Sequence, residues 1–263
     1  MASNAKNIIE RYGDGTREEK RSTENRADYI MEYKYTKKLL EKYISKESSV
    51  LEIGCGTGYY GMYLANKCKK YFGIDITPGN IDLFQKKISE NNLKNVEAKI
   101  ADATDLKFIN DSSYDIALVF GPIYHLPPNE SELVFMESKR ICKQNGLIMF
   151  SYINKIGVYF TGCINESDKY PDKQKNQTLL LDGIDDSRDN IYWFTMPEKM
   201  ETNAIKIDLI VLDNLGVDFT LVPEMYSITS ERKEIWEEIT DLLCSSKSCT
   251  GFANHAVMIC KKV

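Results

Sequence analysis

Residues 49–58 read Ser49-Val50-Leu51-Glu52-Ile53-Gly54-Cys55-Gly56-Thr57-Gly58, and this stretch decides the fold. Val50, Leu51 and Ile53 form an apolar run of the length expected for a buried parallel strand. Gly54, Gly56 and Gly58 follow two residues apart, where a backbone can turn tightly and come close to a ligand. Tyr59 to Lys67 then predicts a helix whose unpaired amide groups aim at the same turn. Strand, glycine turn and helix make the opening of a nucleotide-binding βαβ unit. Glu52 is the odd member, since a carboxylate replaces an apolar residue two positions before the first glycine.

That carboxylate separates two kinds of ligand. Gly56-Thr57-Gly58-Tyr59-Tyr60-Gly61 satisfies the G-x-G-x-x-G pattern of a dinucleotide site. A dinucleotide, however, sets a pyrophosphate against the turn, and Glu52 would repel it. S-adenosylmethionine carries no phosphate, and its sulfonium and ammonium are cations that a carboxylate suits. The string E-x-G-x-G-x-G resembles the first motif of the class I S-adenosylmethionine-dependent methyltransferases. The resemblance implies that Glu52, Gly54, Cys55, Gly56 and Gly58 belong to the cofactor site.

The order of the next segments agrees. Tyr71-Phe72-Gly73-Ile74-Asp75 predicts a second strand ending in an acid, at the distance where a ribose-binding carboxylate is expected. Asp75 as a helix cap is the alternative, but Thr77-Pro78 offers a better cap and first helical residue, which leaves Asp75 for a ligand. Val96 to Ala101 leads into Asp102-Ala103. The resemblance implies that Asp102 accepts from an adenine amino group, that Ala103 meets the ring, and that Ile76 lies beside Asp75 in the same site. Tyr114 to Phe120 reads as a strand covered on both faces, with Phe120 at the edge of the pocket. Asn129-Glu130-Ser131-Glu132 predicts a capping-box-like helix start, a helix ending near Gly146, and a strand over Leu147 to Phe150. The fold expected is α/β: a Rossmann-like, seven-stranded, mostly parallel sheet with helices on both faces and an antiparallel last strand.

Between these strands, Gly121-Pro122-Ile123-Tyr124-His125-Leu126 falls at a strand's carboxyl end, where open α/β sheets bind ligands. It is similar to the Gly-Pro-x-Tyr-His-Leu loop of a bacterial subgroup of small-molecule methyltransferases. It departs from the Asn/Asp-Pro-Pro-Tyr loop of enzymes acting on amino groups, because glycine stands where the accepting side chain would be. Tyr124 and His125 are therefore the expected catalytic residues. His125 reads equally as a general base or orienter and as a structural imidazole, whereas His255 reads as structural. The leader of that subgroup resembles Arg26 to Leu40, and Arg26 is expected either to fork onto the methionyl carboxylate or to be a solvated surface group. Tyr29 and Tyr33 read as core residues or as faces toward the sulfonium.

Composition bounds the rest. The chain has 263 residues and a formal net charge of −5, with no run of Lys or Arg, so a nucleic-acid partner is not expected. Its seven cysteines show neither metal-ligand spacing nor a paired framework, so no metal is expected. With no apolar stretch long enough for a membrane and no signal core, a reduced cytoplasm fits. The expected organisation is a helical leader (1–47), the cofactor-binding core (48–152), a lid or surface insertion (153–196) and the rest of the sheet domain (197–263). The insertion holds a polar stretch, Glu166 to Gln177, and an aromatic one, Ile191 to Phe194. Beyond it, helices are expected over Pro197 to Leu215 and Ser230 to Leu243, and strands over Val217 to Met225 and His255 to Lys262. The expected activity is methyl transfer from S-adenosylmethionine to a small-molecule acceptor, by a monomer or homodimer. A protein or RNA acceptor is the alternative, and a non-catalytic cofactor-binding module is another.

Overall fold

Every residue of β1 (Ser49–Ile53) is buried, and the strand lies near the centre of a seven-stranded sheet. The computed structural model describes residues 1–24, 27–164, 167–185, 191–219 and 233–263. β1 pairs in parallel with β2 (Lys70–Asp75) on one side and β4 (Tyr114–Val119) on the other. With β3 (Val96–Ile100), β5 (Cys142–Ile153), β6 (Leu209–Gly216) and β7 (His255–Lys262), the order is β3-β2-β1-β4-β5-β7-β6. β7 runs antiparallel between β5 and β6, as the expected architecture requires.

Both faces of the sheet are covered. On one, α7 (Pro128–Ile141) and α10 (Pro197–Lys206) pack onto Leu51, Ile53 and Phe150, and Phe135 stacks on Phe150 with ring centroids 4.1 Å apart. On the other, α3 (Ala27–Tyr43), α4 (Tyr59–Leu64) and α5 (Pro78–Glu90) bring Leu40, Leu64, Ile81 and Phe84 onto Val50, Tyr71 and Met149. Each such side chain, fully buried, contributes roughly 1.5–3 kcal/mol. The leader also holds α1 (Ala5–Tyr12) and α2 (Thr16–Thr23). Ala2 and Ala5 join the first face, while Met31, Tyr35 and Leu40 join the second. The leader therefore crosses the carboxyl ends of the strands.

Several boundaries differ from the sequence reading. α7 ends at Ile141, and β5 already begins at Cys142. Between the pairs Tyr114–Cys142 and Ile116–Leu147 the strand bulges, with Asn145 left-handed at φ 63°. No capping box forms at Asn129, because Pro127 and Pro128 set the entry to α7 and the Ser131 hydroxyl returns to the Pro128 carbonyl. The helix expected over Pro197 to Leu215 stops at Lys206; Asp208 turns the chain at φ 54°, and Leu209 to Gly216 pair with β7 as β6. Of the strand expected over Val217 to Met225, residues 217–219 are irregular and 220–225 lie outside the described residues. The last helix is α11 (Lys233–Ser245).

The insertion is not a plain loop. It forms α8 (Lys155–Val158), a π-helical turn over Tyr159–Ile164, and α9 (Lys173–Asp182), which the Asp172 carboxylate caps by accepting from Gln174 N and Lys175 N. Cys163, Tyr170, Leu179 and Phe194 make a small core of their own against Tyr124 and Ile153. Glu166 lies outside the described residues.

Gly58 begins α4 at φ 84°, and a Cβ there would lie 2.1 Å from the Phe84 ring. Gly58→Ala combines left-handed strain with overpacking and should lower unfolding free energy by about 3 kcal/mol, read from urea denaturation.

Candidate active site

The glycine turn sits where the carboxyl ends of β1, β2 and β4 converge. Gly54 N and Cys55 N both donate to the Ile74 carbonyl, tying the turn to β2. Gly54 adopts φ 88°, and a Cβ on it would lie 2.2 Å from the Phe120 carbonyl oxygen and 2.6 Å from Pro122. Only glycine lets the two strand ends come this close. The result is a cavity of about 720 Å³ between Gly54, Gly56 and the ends of β2 and β3, roofed by α1 and α2.

Asp75, Ile76, Asp102, Ala103, Phe120, Tyr124 and His125 all line this cavity. Thr77 takes the cap position of α5 but its side chain caps nothing, and the Asp75 carboxylate instead bonds the backbone amide of Thr77 itself. Asp75 accepts from Thr77 N at 2.8 Å, Gly56 N at 2.9 Å and the Asn80 amide at 3.2 Å. It is therefore not free in the sense the sequence suggested, and burial nonetheless pushes its pKa up. Asp102 accepts from Thr104 N and its hydroxyl, and also from Ala2 N at 2.6 Å, so the leader closes directly over this acid.

A second chamber of about 470 Å³ adjoins the first across Gly54, Gly56, Phe120 and Tyr124. Glu52 and Cys55 line it. Glu52 is 2% exposed and accepts from the Tyr71 hydroxyl. Burial pushes its carboxyl up to about 8, so at neutral pH it is mostly protonated. Gly58 lines neither cavity, and the Cys55 thiol is packed beneath Gly73. Arg26 lies outside the described residues. Tyr29 stacks under Arg21 and Tyr33 packs on Tyr59, so neither lines these cavities.

Leader residues that the sequence reading passed over reach the site instead. Ala2, Ile8 and Tyr12 line the larger cavity, and Glu18 and Arg21 line both. The Tyr12 hydroxyl lies 2.8 Å from His125 Nε2, while His125 Nδ1 lies 2.9 Å from the Ile191 carbonyl. A carbonyl only accepts, so Nδ1 carries the proton and Nε2 accepts from Tyr12. Both ring nitrogens are engaged within the protein. Burial holds the imidazole down at about 4, and Arg11, Arg21 and Arg17 add to the effect. The aromatic end of the insertion fixes this arrangement: Trp193 N donates to the Tyr124 carbonyl at 2.9 Å, and the Tyr192 ring lies 4.9 Å from His125. His255 is paired with buried Asp218 at 3.0 Å, and against the cost of burial the charge of Glu32 and this pairing raise its pKa.

A buried turn faced by carboxyl groups, with Arg21 the one arginine or lysine among the described residues that line it, suits a cationic nucleoside better than a pyrophosphate. The architecture is that of the Rossmann-like methyltransferases. Over 90% of its length the chain superposes on 99% of an S-adenosylmethionine-dependent methyltransferase from Mesorhizobium loti, with a TM-score of 0.60 and 11% identity. Residues 50–146 match the sequence family described as a methyltransferase domain, and the domain so defined contains Glu52, the glycine turn, Asp75, Asp102 and His125. Among curated relatives, a ubiquinone biosynthesis O-methyltransferase from Pelagibacter ubique is 27% identical over 110 residues, 42% of this chain and 44% of that protein. A tRNA (guanine-N(7)-)-methyltransferase from Francisella tularensis subsp. novicida is 27% identical over 163 residues, 59% of this chain and 68% of that protein. The chain thus spans less than half of the first of these relatives. No described helix is long and apolar enough to cross a membrane.

His125 sets a pH dependence of stability. Its folded pKa, about 4, lies below the ordinary value of about 6.5, so the unfolded chain binds the extra proton between them. Its contribution is complete above pH 6.5 and is lost as pH falls toward 4, by roughly 3 kcal/mol. His125→Gln should flatten the unfolding free energy measured across that window.

Proposed function

We propose that the protein transfers a methyl group from S-adenosylmethionine to a small-molecule acceptor. The observation that carries this reading is the carboxyl-faced glycine turn opening into a covered cavity, with buried Glu52 behind it. S-adenosylmethionine, bound there, supplies a methyl group on a sulfonium, a good leaving group. Asp75 would hold the ribose, Asp102 and Ala103 the adenine, and Glu52, Gly54 and Gly56 the methionyl side. Tyr12, Tyr124 and His125 would face the acceptor, under the cap made by the leader and the insertion.

The acceptor end works by position more than by proton removal. An imidazole held at about 4 is a weak base at neutral pH, and its lone pair already accepts from Tyr12. His125 therefore orients the Tyr12 hydroxyl, and the phenols of Tyr12 and Tyr124 orient the acceptor while the closed walls exclude water. A small acceptor is favoured over RNA by the covered cavity and by the net charge of −5.

Two experiments test this reading. Formation of S-adenosylhomocysteine on a panel of small phenols, thiols and amines should be detectable by mass spectrometry, and turnover only on tRNA or protein would overturn the small-acceptor reading. His125→Gln should then keep kcat within about threefold, whereas a true general base would lose a hundredfold or more.

Glu52 gives an independent readout. Its carboxyl is mostly protonated at pH 7, and a nearby cation favours the charged form. Calorimetry in buffers of different ionisation heat should show protons released when S-adenosylmethionine binds, and clearly fewer for Glu52→Gln.

A further inference from the structure

We propose that Glu18 and Arg21, both on α2, form a clamp that reads the amino-acid end of the cofactor: Glu18 takes the ammonium and Arg21 the carboxylate. The inference rests on the S-adenosylmethionine reading and extends it to residues outside the matched domain. Both side chains line the larger cavity and the inner chamber, so they stand where the two meet, beside Gly54 and Gly56. Glu18 Oε2 lies 3.4 Å from where a Gly56 Cβ would be. The open Cα of Gly56 thus faces a carboxylate across the turn.

The state of these two groups points to a ligand. Among the described residues Glu18 has no hydrogen-bond partner, although burial pushes its pKa up, against the attraction of Arg21. Its carboxylate oxygens are left open to the cavity, placed to meet a cation. Arg21 uses Nη2 on Glu32 at 2.5 Å and leaves its other donors without a partner among the described residues. That bond fixes the guanidinium from behind, on α3. Glu18 and Arg21 attract one another electrostatically but make no ion pair, so a gap separates them.

The spacing fits a zwitterion. Residues three apart on a helix are surface neighbours, with Cβ atoms about 5–6 Å from each other. An α-amino acid presents its ammonium and carboxylate on one carbon, so adjacent opposite charges on one helical face match it. A planar guanidinium suits the carboxylate by its fork geometry. Glu52, deeper in the chamber, remains for the sulfonium side. α2 itself is pinned over the turn by Lys87, which bonds Glu19 and the Thr57 carbonyl.

The test compares two ligands that share the nucleoside and differ in the clamped group. S-adenosylhomocysteine has the amino-acid end, and 5′-methylthioadenosine lacks it. Calorimetry should show the native protein binding S-adenosylhomocysteine at least tenfold more tightly. Glu18→Gln and Arg21→Gln should each weaken S-adenosylhomocysteine about tenfold or more while leaving 5′-methylthioadenosine within about twofold. Arg21→Lys, which keeps charge but loses the fork, should fall between. Equal loss of both ligands would mean that α2 merely shapes the pocket, and unchanged S-adenosylhomocysteine affinity with a raised acceptor KM would move Glu18 to the acceptor site; either overturns the clamp. If the native protein binds neither ligand, the cofactor reading fails and the clamp falls with it. If it binds both equally, the cofactor reading stands and the clamp alone is overturned.

Discussion

The contact between Gly54 and the end of β4 is the constraint on which the rest depends. A single Cβ at residue 54 would stand 2.2 Å from the Phe120 carbonyl, so the strands can converge only because that atom is missing. Convergence brings the ends of β1, β2 and β4 around one cavity and lets Asp75 accept from Gly56 N across the turn. The loop after β4 then has nowhere to go but over the cleft. Pro122 starts α6 (Pro122–His125) there and delivers Tyr124 and His125 to the cavity wall.

Electrostatics follow from the same geometry. Glu18, Glu52 and Asp75 all meet this cleft, and burial raises the pKa of each. Desolvation disfavours like charges held together, so the free protein keeps part of this negative charge protonated. On the proposed reading a cationic ligand would reverse the balance, so that binding and ionisation would be one event. The neutral, doubly bonded imidazole of His125 is the opposite case. Burial disfavours its charged form and three nearby arginines add to the effect, so it stays uncharged and acts as a fixed strut for Tyr12.

The strand-turn-helix opening, the acids at 75 and 102, and the antiparallel β7 were legible in the sequence because each has a local signature. Glycine spacing, an acid at a strand end and a continuous apolar run need no distant partner to be read. The boundaries near Cys142 and Asp208 were not. There helix gives way to strand without a local stop signal that sets the boundary, and only the pairing of β5 with β4 and of β6 with β7 decides where one ends. Thr77 shows the same limit on a smaller scale. Its position as a cap was readable, but the bonds went to Asp75, which lies close through the fold of β2 against the turn.

By itself the sequence determined the glycine turn and the sheet's parallel core with its antiparallel last strand, because these follow from backbone sterics and local apolar runs. Only the tertiary structure decided which leader residues enter the site. Tyr12, Glu18 and Arg21 sit in a polar, charged segment with no motif around them, and nothing local distinguishes them from Arg26, Tyr29 or Tyr33. They become site residues when the leader crosses from one face of the sheet to the other and its helices α1 and α2 lie across the strand ends. Their place at the cavity is a property of that long-range packing. Proximity between residues far apart in sequence is set by the folded chain, and no local pattern records it.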